Sequence, residues 1–236
     1  MTTDRFFGIL GGMGTLASEA FIQAVNKKTD AGSDQEYLNY ILMNHATVPD
    51  RTEYILGRSS ENPLTYLLED ISRFNKLNVE FIVITCNTAH FFHEELQKHS
   101  DAEIVHMPRI TVEEIRKQVP LEKKVAFLGT EGSIKASIYK DPLVKSGCDI
   151  YYPGDKLQAK VNKLIYEEVK EKGNLNLSLY NEIINEVRSE GELEAIILGC
   201  TELSWIYETD ESVRNDKMVF DAQAILVDHV IARTRR

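Results

Sequence analysis

The chain has 236 residues, of which 43% are hydrophobic and 27% charged, a balance typical of a folded globular protein. Its formal net charge of −10 repels a polyanion, so we expect no nucleic-acid partner. No apolar run approaches the roughly 20 residues of a membrane span, and the first residues make a poor signal peptide, so no membrane partner is expected. Three cysteines without a CxxC pair predict free thiols and a cytoplasmic location.

Short apolar runs alternate along the chain with longer amphipathic stretches. The runs are typical of buried strands in mostly parallel sheets: FFGIL (6–10), YILMN (40–44), FIVIT (81–85), KVAFLG (124–129) and AIILG (195–199). Helical periodicity between them is clearest over residues 64–75 and 158–172. The alternation predicts an α/β fold in which parallel sheets are flanked by helices.

Two segments of the first half have counterparts in the second half. ILGGMGT (9–15) matches FLGTEGS (127–133), and ITCNT (84–88) matches LGCTE (198–202). The two pairs occur in the same order and at nearly the same offset along the chain. We therefore expect two pseudo-symmetric α/β lobes with the functional site in the cleft between them.

The matched segments also suggest where the lobes divide. The N-terminal lobe is predicted to comprise residues 1–97 plus 213–236, and the C-terminal lobe residues 98–212. The final segment has the pattern of a strand and a helix, and we expect it to return to the first lobe.

Cys86 and Cys200 each follow a predicted buried strand and precede polar residues that can start a helix. Ligands bind at the carboxyl ends of parallel strands, and the start of a helix favours a thiolate there. Asn87, Thr88 and Thr201 add side-chain donors beside the thiols. One such cysteine alone is better interpreted as a buried structural residue, but two at matched positions indicate a functional pair.

Two thiols facing each other across a pseudo-symmetric cleft suit a reaction whose substrate and product are mirror images. A thiolate removes the α-proton from one face of an amino acid, and the opposite thiol donates a proton to the other face. The carbanion between these steps requires fixed donors around the carboxylate and the exclusion of water. The pattern thus indicates two-base proton transfer at Cα.

Other interpretations of these residues are weaker. Cys86 and His90 are four residues apart and could begin a zinc site, but no other close His/Cys pair completes four ligands. We expect no metal, and we assign His90 a hydrogen-bonding role behind the site. Cys148 lacks the strand-end position and is expected to be structural. Neither GGMG nor GTEG completes GxGxxG, so both are interpreted as tight turns.

A series of segments spans essentially the whole chain: ILGGMGT (9–15), VPDRT (48–52), ITCNTAH (84–90), FLGTEGS (127–133), LIYEEVK (164–170), ILGCTEL (197–203) and FDAQA (220–224). In this order they resemble the aspartate/glutamate racemase family, in particular its aspartate racemase branch. The two cysteine motifs together are the specific part of the resemblance. It implies an active site between two α/β lobes, no pyridoxal phosphate or other cofactor, no metal, and a homodimer.

The resemblance implies an acidic amino acid as substrate, aspartate first and glutamate second, with Cys86 and Cys200 as the acid–base pair. Arg51 and Lys170 match positions that receive the distal carboxylate, and Lys163 is the alternative to Lys170. The expected substrate-binding residues are Arg51, Asn87, Thr88, Thr130, Lys170, Thr201 and Glu202.

Some positions depart from the family's pattern. Thr15 stands where the family often has proline. Gly11 and Glu202 stand where the glutamate racemase branch has aspartate and histidine, which argues against that branch. Two alternatives stay open: the same two-cysteine chemistry on a hydantoin, maleate or arylmalonate, and a non-catalytic two-lobed protein that binds amino acids.

Overall fold

The strands of the computed structural model, which describes residues 5–120 and 123–234, form two four-stranded parallel sheets. The strands are β1 (Phe7–Gly11), β2 (Tyr40–Asn44), β3 (Phe81–Ile84), β4 (Glu103–Ile104), β5 (Lys124–Leu128), β6 (Asp149–Tyr151), β7 (Leu193–Leu198) and β8 (Val219–Asp221). The first sheet has the order β2-β1-β3-β4 and the second the order β6-β5-β7-β8. The second sheet therefore repeats the strand order of the first, which confirms the predicted α/β fold with two related lobes.

Helices connect these strands. The α-helices are α1 (Thr15–Lys28), α2 (Arg51–Ile55), α3 (Pro63–Leu77), α4 (His93–Lys98), α5 (Met107–Arg116), α6 (Glu131–Lys135), α7 (Lys140–Lys145), α8 (Asp155–Asn162), α9 (Leu177–Ser189), α10 (Thr201–Thr209), α11 (Glu211–Arg214) and α12 (Ala222–Thr234). Short 3₁₀ helices cover Asp34–Glu36 and Thr88–Phe92, and a π-helix covers Lys163–Glu171. Across the described ranges, no helix has both the length and the apolar character needed to cross a membrane.

Helix α3 illustrates how the local sequence sets an element. The side chain of Asn62 caps the first turn by accepting a backbone N–H, which satisfies a donor that the helix itself cannot. Leu67, Ile71 and Phe74 recur at helical spacing and are fully buried against the first sheet's core. Burying each of these side chains contributes about 1.5–3 kcal/mol. The helix ends at Asn78, whose φ of 50° stops further helical hydrogen bonding.

The turn before Cys200 is set by packing of the second sheet. Phe127 in β5 is fully buried. A Cβ atom at Gly199 would lie 2.0 Å from Cε2 of that ring, so only glycine fits there. The tight packing fixes the backbone from which Cys200 starts α10.

The strand pairings correct the predicted lobe boundaries. β4 pairs with β3, so the first lobe extends past residue 97 to at least Ile104. β8 pairs with β7, so the prediction that residues 213–236 return to the first lobe is wrong for this strand. Helix α12 nevertheless contacts α1 of the first lobe as well as α5. The C-terminal segment thus completes the second sheet with its strand and bridges the lobes with its helix.

The predicted helix over residues 158–172 is also different in the structure. It forms α8 followed directly by the π-helix Lys163–Glu171, in which hydrogen bonds join residues five apart. A regular α-helix joins residues four apart. The π-helical winding changes which side chains share one face.

Candidate active site

A cleft lies between the lobes, at the residues that follow β1, β3, β5 and β7. It brings together every site residue predicted from the sequence: Arg51, Cys86, Asn87, Thr88, Thr130, Lys170, Cys200, Thr201 and Glu202. It is also lined by residues that were not predicted: Met13, Asp50, Thr52, Ile165, Tyr166 and Gly199.

The two cleft cysteines come from matching strands of the two sheets. Cys86 follows β3 and Cys200 follows β7, and each residue is 6% exposed. Burial raises the pKa of Cys200 well above its usual value, and the charges of Glu202 and, to a lesser extent, Cys86 act in the same direction. Cys200 therefore keeps its proton at neutral pH, and both cysteines line the same cleft.

Glu202 is the direct partner of the Cys200 thiol. Its Oε2 atom accepts hydrogen bonds from Cys200 Sγ at 2.9 Å and from Thr201 Oγ1 at 3.2 Å. Its Oε1 atom lies 3.6 Å from the point where a side chain at Gly14 would begin. Gly14 precedes α1, so the carboxylate lies near the partial positive charge of a helix N-terminus contributed by the other lobe.

Asn87 presents an unpaired donor inside the cleft. Asn87 is 2% exposed, and its Oδ1 atom accepts a 2.7 Å hydrogen bond from Tyr139 Oη. Within the described part of the chain, the buried Nδ2 atom has no hydrogen-bond partner. An acceptor bound in the cleft can use this N–H group.

Three hydroxyl groups join the lobes beside the cleft, and two of them, those of Thr88 and Thr130, belong to residues that line it. Thr88 Oγ1, from the first lobe, lies 3.0 Å from Thr130 Oγ1 and 2.8 Å from Ser133 Oγ, both from the second lobe. Thr130 and Ser133 lie 3.0 Å apart, and Thr130 Oγ1 also accepts the backbone N–H of Ser133 at the start of α6. These rotatable hydroxyls can donate to or accept from a small polar ligand.

Arg51 supplies a buried positive charge. The residue is 8% exposed, and its Nη2 atom donates to the Met13 carbonyl at 2.7 Å while Nη1 donates to the Pro49 carbonyl at 3.1 Å. The buried Nε atom has no partner among the described residues. Backbone carbonyls thus fix the guanidinium in place and leave its Nε–H group and its positive charge for an anion.

Lys170 lies at the outer part of the cleft on the π-helix. Its Nζ atom is 3.9 Å from Asp50 Oδ2 and 5.3 Å from the centre of the Tyr166 ring. Ile165 and Tyr166, five and four residues earlier, line the same cleft. Lys163, the alternative cation considered from the sequence, is exposed and does not line the cleft.

His90 supports the backbone of the cysteine loop. Its Nε2 atom accepts the backbone N–H of Met107 at 3.1 Å, so Nδ1 carries the proton and donates to the Cys86 carbonyl at 3.0 Å. Burial, followed by the nearby His106 and His93, lowers the pKa of His90 to about 3, and the ring is neutral. Both ring nitrogens are engaged by backbone groups, which argues against a Cys86–His90 zinc pair. Residues 5–120 and 123–234 contain no other cluster of His, Cys, Asp or Glu suited to a metal.

Two further positions of interest lie outside the cleft. Cys148 is 2% exposed within the core, and its Sγ atom is 4.0 Å from Arg116 Nη1. A side chain at Gly11 would begin 2.6 Å from Ser18 Oγ, which is hydrogen-bonded to Thr85 Oγ1 at 2.9 Å. The position where the glutamate racemase branch has aspartate therefore has no room for one in this chain.

The sequence contained partial signals for some of the residues that were missed. Asp50 precedes Arg51 in the VPDRT segment, and Tyr166 lies one helical turn before Lys170. Tyr139 and Ser133 carried no comparable signal, because their importance arises from contacts with the opposite lobe.

Comparison with known proteins identifies the family of the chain. Residues 10–230 match the family described as Asp/Glu/Hydantoin racemase. The broad specificity amino-acid racemase RacX of Bacillus subtilis is 26% identical over 232 residues, which cover 95% of this chain and 96% of that protein. The glutamate racemase of Aquifex pyrophilus is 26% identical over 172 residues, covering 72% of this chain and 64% of that protein.

Solved structures give the same result. The aspartate racemase of Picrophilus torridus aligns with a TM-score of 0.80 and 27% identity, covering 97% of this chain and 94% of that one. An aspartate racemase homologue from Pyrococcus horikoshii aligns with a TM-score of 0.78 at 22% identity over 99% and 100% of the two chains, which supports the fold. Because the family match extends over nearly all of its length, this chain belongs to the Asp/Glu/hydantoin racemase family.

Proposed function

We propose that this protein is a cofactor-independent racemase that interconverts L- and D-aspartate by two-base proton transfer at Cα, with glutamate as a second substrate. The observation that carries the proposal is that Cys86 and Cys200, from opposite lobes, line one cleft with a buried guanidinium. The similarity to an aspartate racemase and to a broad specificity amino-acid racemase supports an amino-acid substrate.

Two buried donors support a dicarboxylic ligand. Arg51 Nε and Asn87 Nδ2 have no partner among the described residues, and leaving such a donor unpaired costs about 1–3 kcal/mol. We assign Arg51 and Lys170 to the distal carboxylate, where a planar guanidinium and an ammonium attract the anion into an otherwise acidic protein.

The α-carboxylate and amino group are assigned to the polar residues deeper in the cleft. Asn87 Nδ2 donates to a carboxylate oxygen, and hydroxyls on both lobes complete the contacts. These donors also stabilise the enediolate that forms when the α-proton leaves. The assigned set is Asn87, Thr88, Thr130, Thr201 and Glu202.

The proton steps follow from the different surroundings of the two thiols. Cys200 begins as the thiol, because burial and Glu202 disfavour its ionisation, and the role of base is assigned to Cys86. Cys86 takes the α-proton, and the electron pair of the C–H bond moves into the α-carboxylate. Cys200 then gives its proton to the opposite face of Cα, which leaves Cys86 as thiol and Cys200 as thiolate. The other enantiomer follows the same steps in reverse.

Exchange at Cα tests the proposal. Each enantiomer of aspartate, incubated with the protein in deuterated buffer without added cofactor, should gain deuterium at Cα and lose its optical activity. An absence of exchange, together with measurable aspartate binding, would support a non-catalytic binding protein instead. Faster turnover of neutral amino acids than of aspartate would shift the assignment toward a broad specificity racemase, and turnover of hydantoins, maleate or arylmalonates would support the alternative substrates.

We further propose that the protein is a cytoplasmic homodimer. The resemblance to the family supports the dimer, and the three unpaired cysteines suit a reducing compartment. Light scattering after size-exclusion chromatography should give twice the mass of 26.9 kDa. A mass of one chain at catalytic concentrations would contradict the dimer.

A further inference from the structure

Tyr139 is a buried residue of the second lobe whose hydroxyl reaches into the first. It is 1% exposed, precedes α7, and packs against Phe127 with ring centres 4.8 Å apart. Its Oη atom donates to Asn87 Oδ1 at 2.7 Å, across 52 residues of sequence. Tyr139 itself does not line the cleft, so any effect on a bound ligand passes through Asn87.

The hydrogen bond decides which end of the Asn87 amide faces the ligand. Burial raises the pKa of Tyr139, so its hydroxyl stays protonated and can donate to an oxygen atom. With Oδ1 engaged in this way, the amide nitrogen is the end left without a partner. A reversed amide would present Oδ1 to the ligand, and that oxygen would repel a carboxylate.

We propose that Tyr139 is a positioning residue that holds the Asn87 amide with its N–H group toward the substrate's α-carboxylate. This inference rests on the proposed racemase function. In this way Tyr139 of the second lobe orients the Asn87 N–H group, which the first lobe carries beside Cys86. The hydrogen bond also makes the alignment of that donor depend on how the two lobes pack against each other.

Tyr139→Phe removes the hydroxyl and keeps the ring against Phe127. We expect kcat/KM for aspartate to fall about tenfold, the size of effect expected when one hydrogen bond to a binding group is lost. In the Asn87→Ala background the same substitution should produce no further loss, because the group that it positions is already absent. Tyr152→Phe is the matched control, since Tyr152 packs against the same Phe127 ring at 6.1 Å but does not bond Asn87.

A second measurement does not depend on turnover. The side-chain amide signals of Asn87 in a ¹⁵N correlation spectrum, identified by their loss in Asn87→Ala, should shift or broaden in Tyr139→Phe and stay unchanged in Tyr152→Phe. Unchanged amide signals, or losses in Tyr139→Phe and Asn87→Ala that multiply independently, would overturn the positioning role. If the wild-type protein exchanges no deuterium at Cα, the proposed function fails instead, and the catalytic part of this inference fails with it.

Discussion

The thiol of Cys200 donates a 2.9 Å hydrogen bond to the carboxylate of Glu202, two residues further along the chain. In the matched motif of the first lobe, the residue two positions after Cys86 is Thr88, which bonds to other hydroxyls instead. The two lobes are pseudo-symmetric in their strands, but the surroundings of their thiols differ. Burial and Glu202 raise the pKa of Cys200, which in the proposed mechanism makes that thiol the proton donor.

Glu202→Gln should shift the pH profile of racemisation. The carboxylate helps to raise the pKa of Cys200, so its removal lowers that pKa, and the thiol loses its proton at a lower pH. Because Cys200 must be protonated to act as the acid, the basic limb of kcat/KM should move to lower pH. Both enantiomers should show the same shift. Mirror images have equal free energies, so kcat/KM must be the same in both directions at every pH.

Glu208→Gln, which makes the same change of charge on the same helix outside the cleft, is the control for this experiment. Its profile should match that of the wild-type protein. An unchanged basic limb in Glu202→Gln, or an equal shift in both variants, would show that Glu202 does not control the ionisation of Cys200.

Cys86→Ser and Cys200→Ser should each reduce racemisation by roughly three orders of magnitude, because a hydroxyl replaces a thiol that must gain or lose a proton. Racemisation is followed by circular dichroism of aspartate, and the thermal transition of each variant checks the fold. Cys148→Ala, which changes a core cysteine outside the cleft, should retain activity. Near-wild-type rates in either serine variant would contradict the two-thiol mechanism.

Lys170→Met should lower kcat/KM for aspartate by about 10–100-fold, the range expected for a lost hydrogen bond to a charged group. A neutral amino acid has no distal carboxylate, so its turnover should change little. Lys163→Met is the matched control, because Lys163 lies on the same π-helix but does not line the cleft. Equal losses with both kinds of substrate would show that Lys170 does not recognise the distal carboxylate.

Asp221 should make the protein less stable as the pH rises. Burial raises the pKa of this carboxyl from 3.8 to about 7, although Ser204 Oγ and the backbone N–H of Ala224 donate to it. In the unfolded chain it loses its proton near pH 4, so its contribution to stability is full below pH 4 and is lost as the pH approaches 7.

Asp221→Asn should therefore reduce the difference in melting temperature between pH 5 and pH 8. Asp228→Asn, which changes an exposed carboxylate on α12, should leave the difference unchanged. If the melting temperature of Asp221→Asn depends on pH as strongly as that of the wild-type protein, Asp221 is not the group responsible.

Strand-end chemistry and the repeated motif were sufficient to predict where the two thiols lie. Cys86 and Cys200 follow short buried strands whose apolar pattern is visible in the sequence, and parallel strands present such residues at one edge. The five predicted strands agree with β1, β2, β3, β5 and β7 to within two residues at each end.

The remaining features depend on tertiary contacts that local patterns do not encode. The two-residue strand β4 is too short to produce a periodic signal, and the sheet to which β8 belongs depends on pairing with β7. Tyr139 is one buried aromatic residue among several until its hydroxyl meets Asn87 across the lobes. The π-helix preserves the apolar pattern of an α-helix, so the pattern cannot distinguish them.

The π-helical winding of Lys163–Glu171 determines which of its side chains face the cleft. In a regular α-helix, residues five apart point roughly 140° away from each other, so Ile165 and Lys170 could not both face the ligand. Removing one amino acid between them would restore ordinary winding, and the direction of every later side chain in the segment would rotate. Insertions and deletions in this short stretch would thus change which cation lines the cleft without altering Cys86 or Cys200.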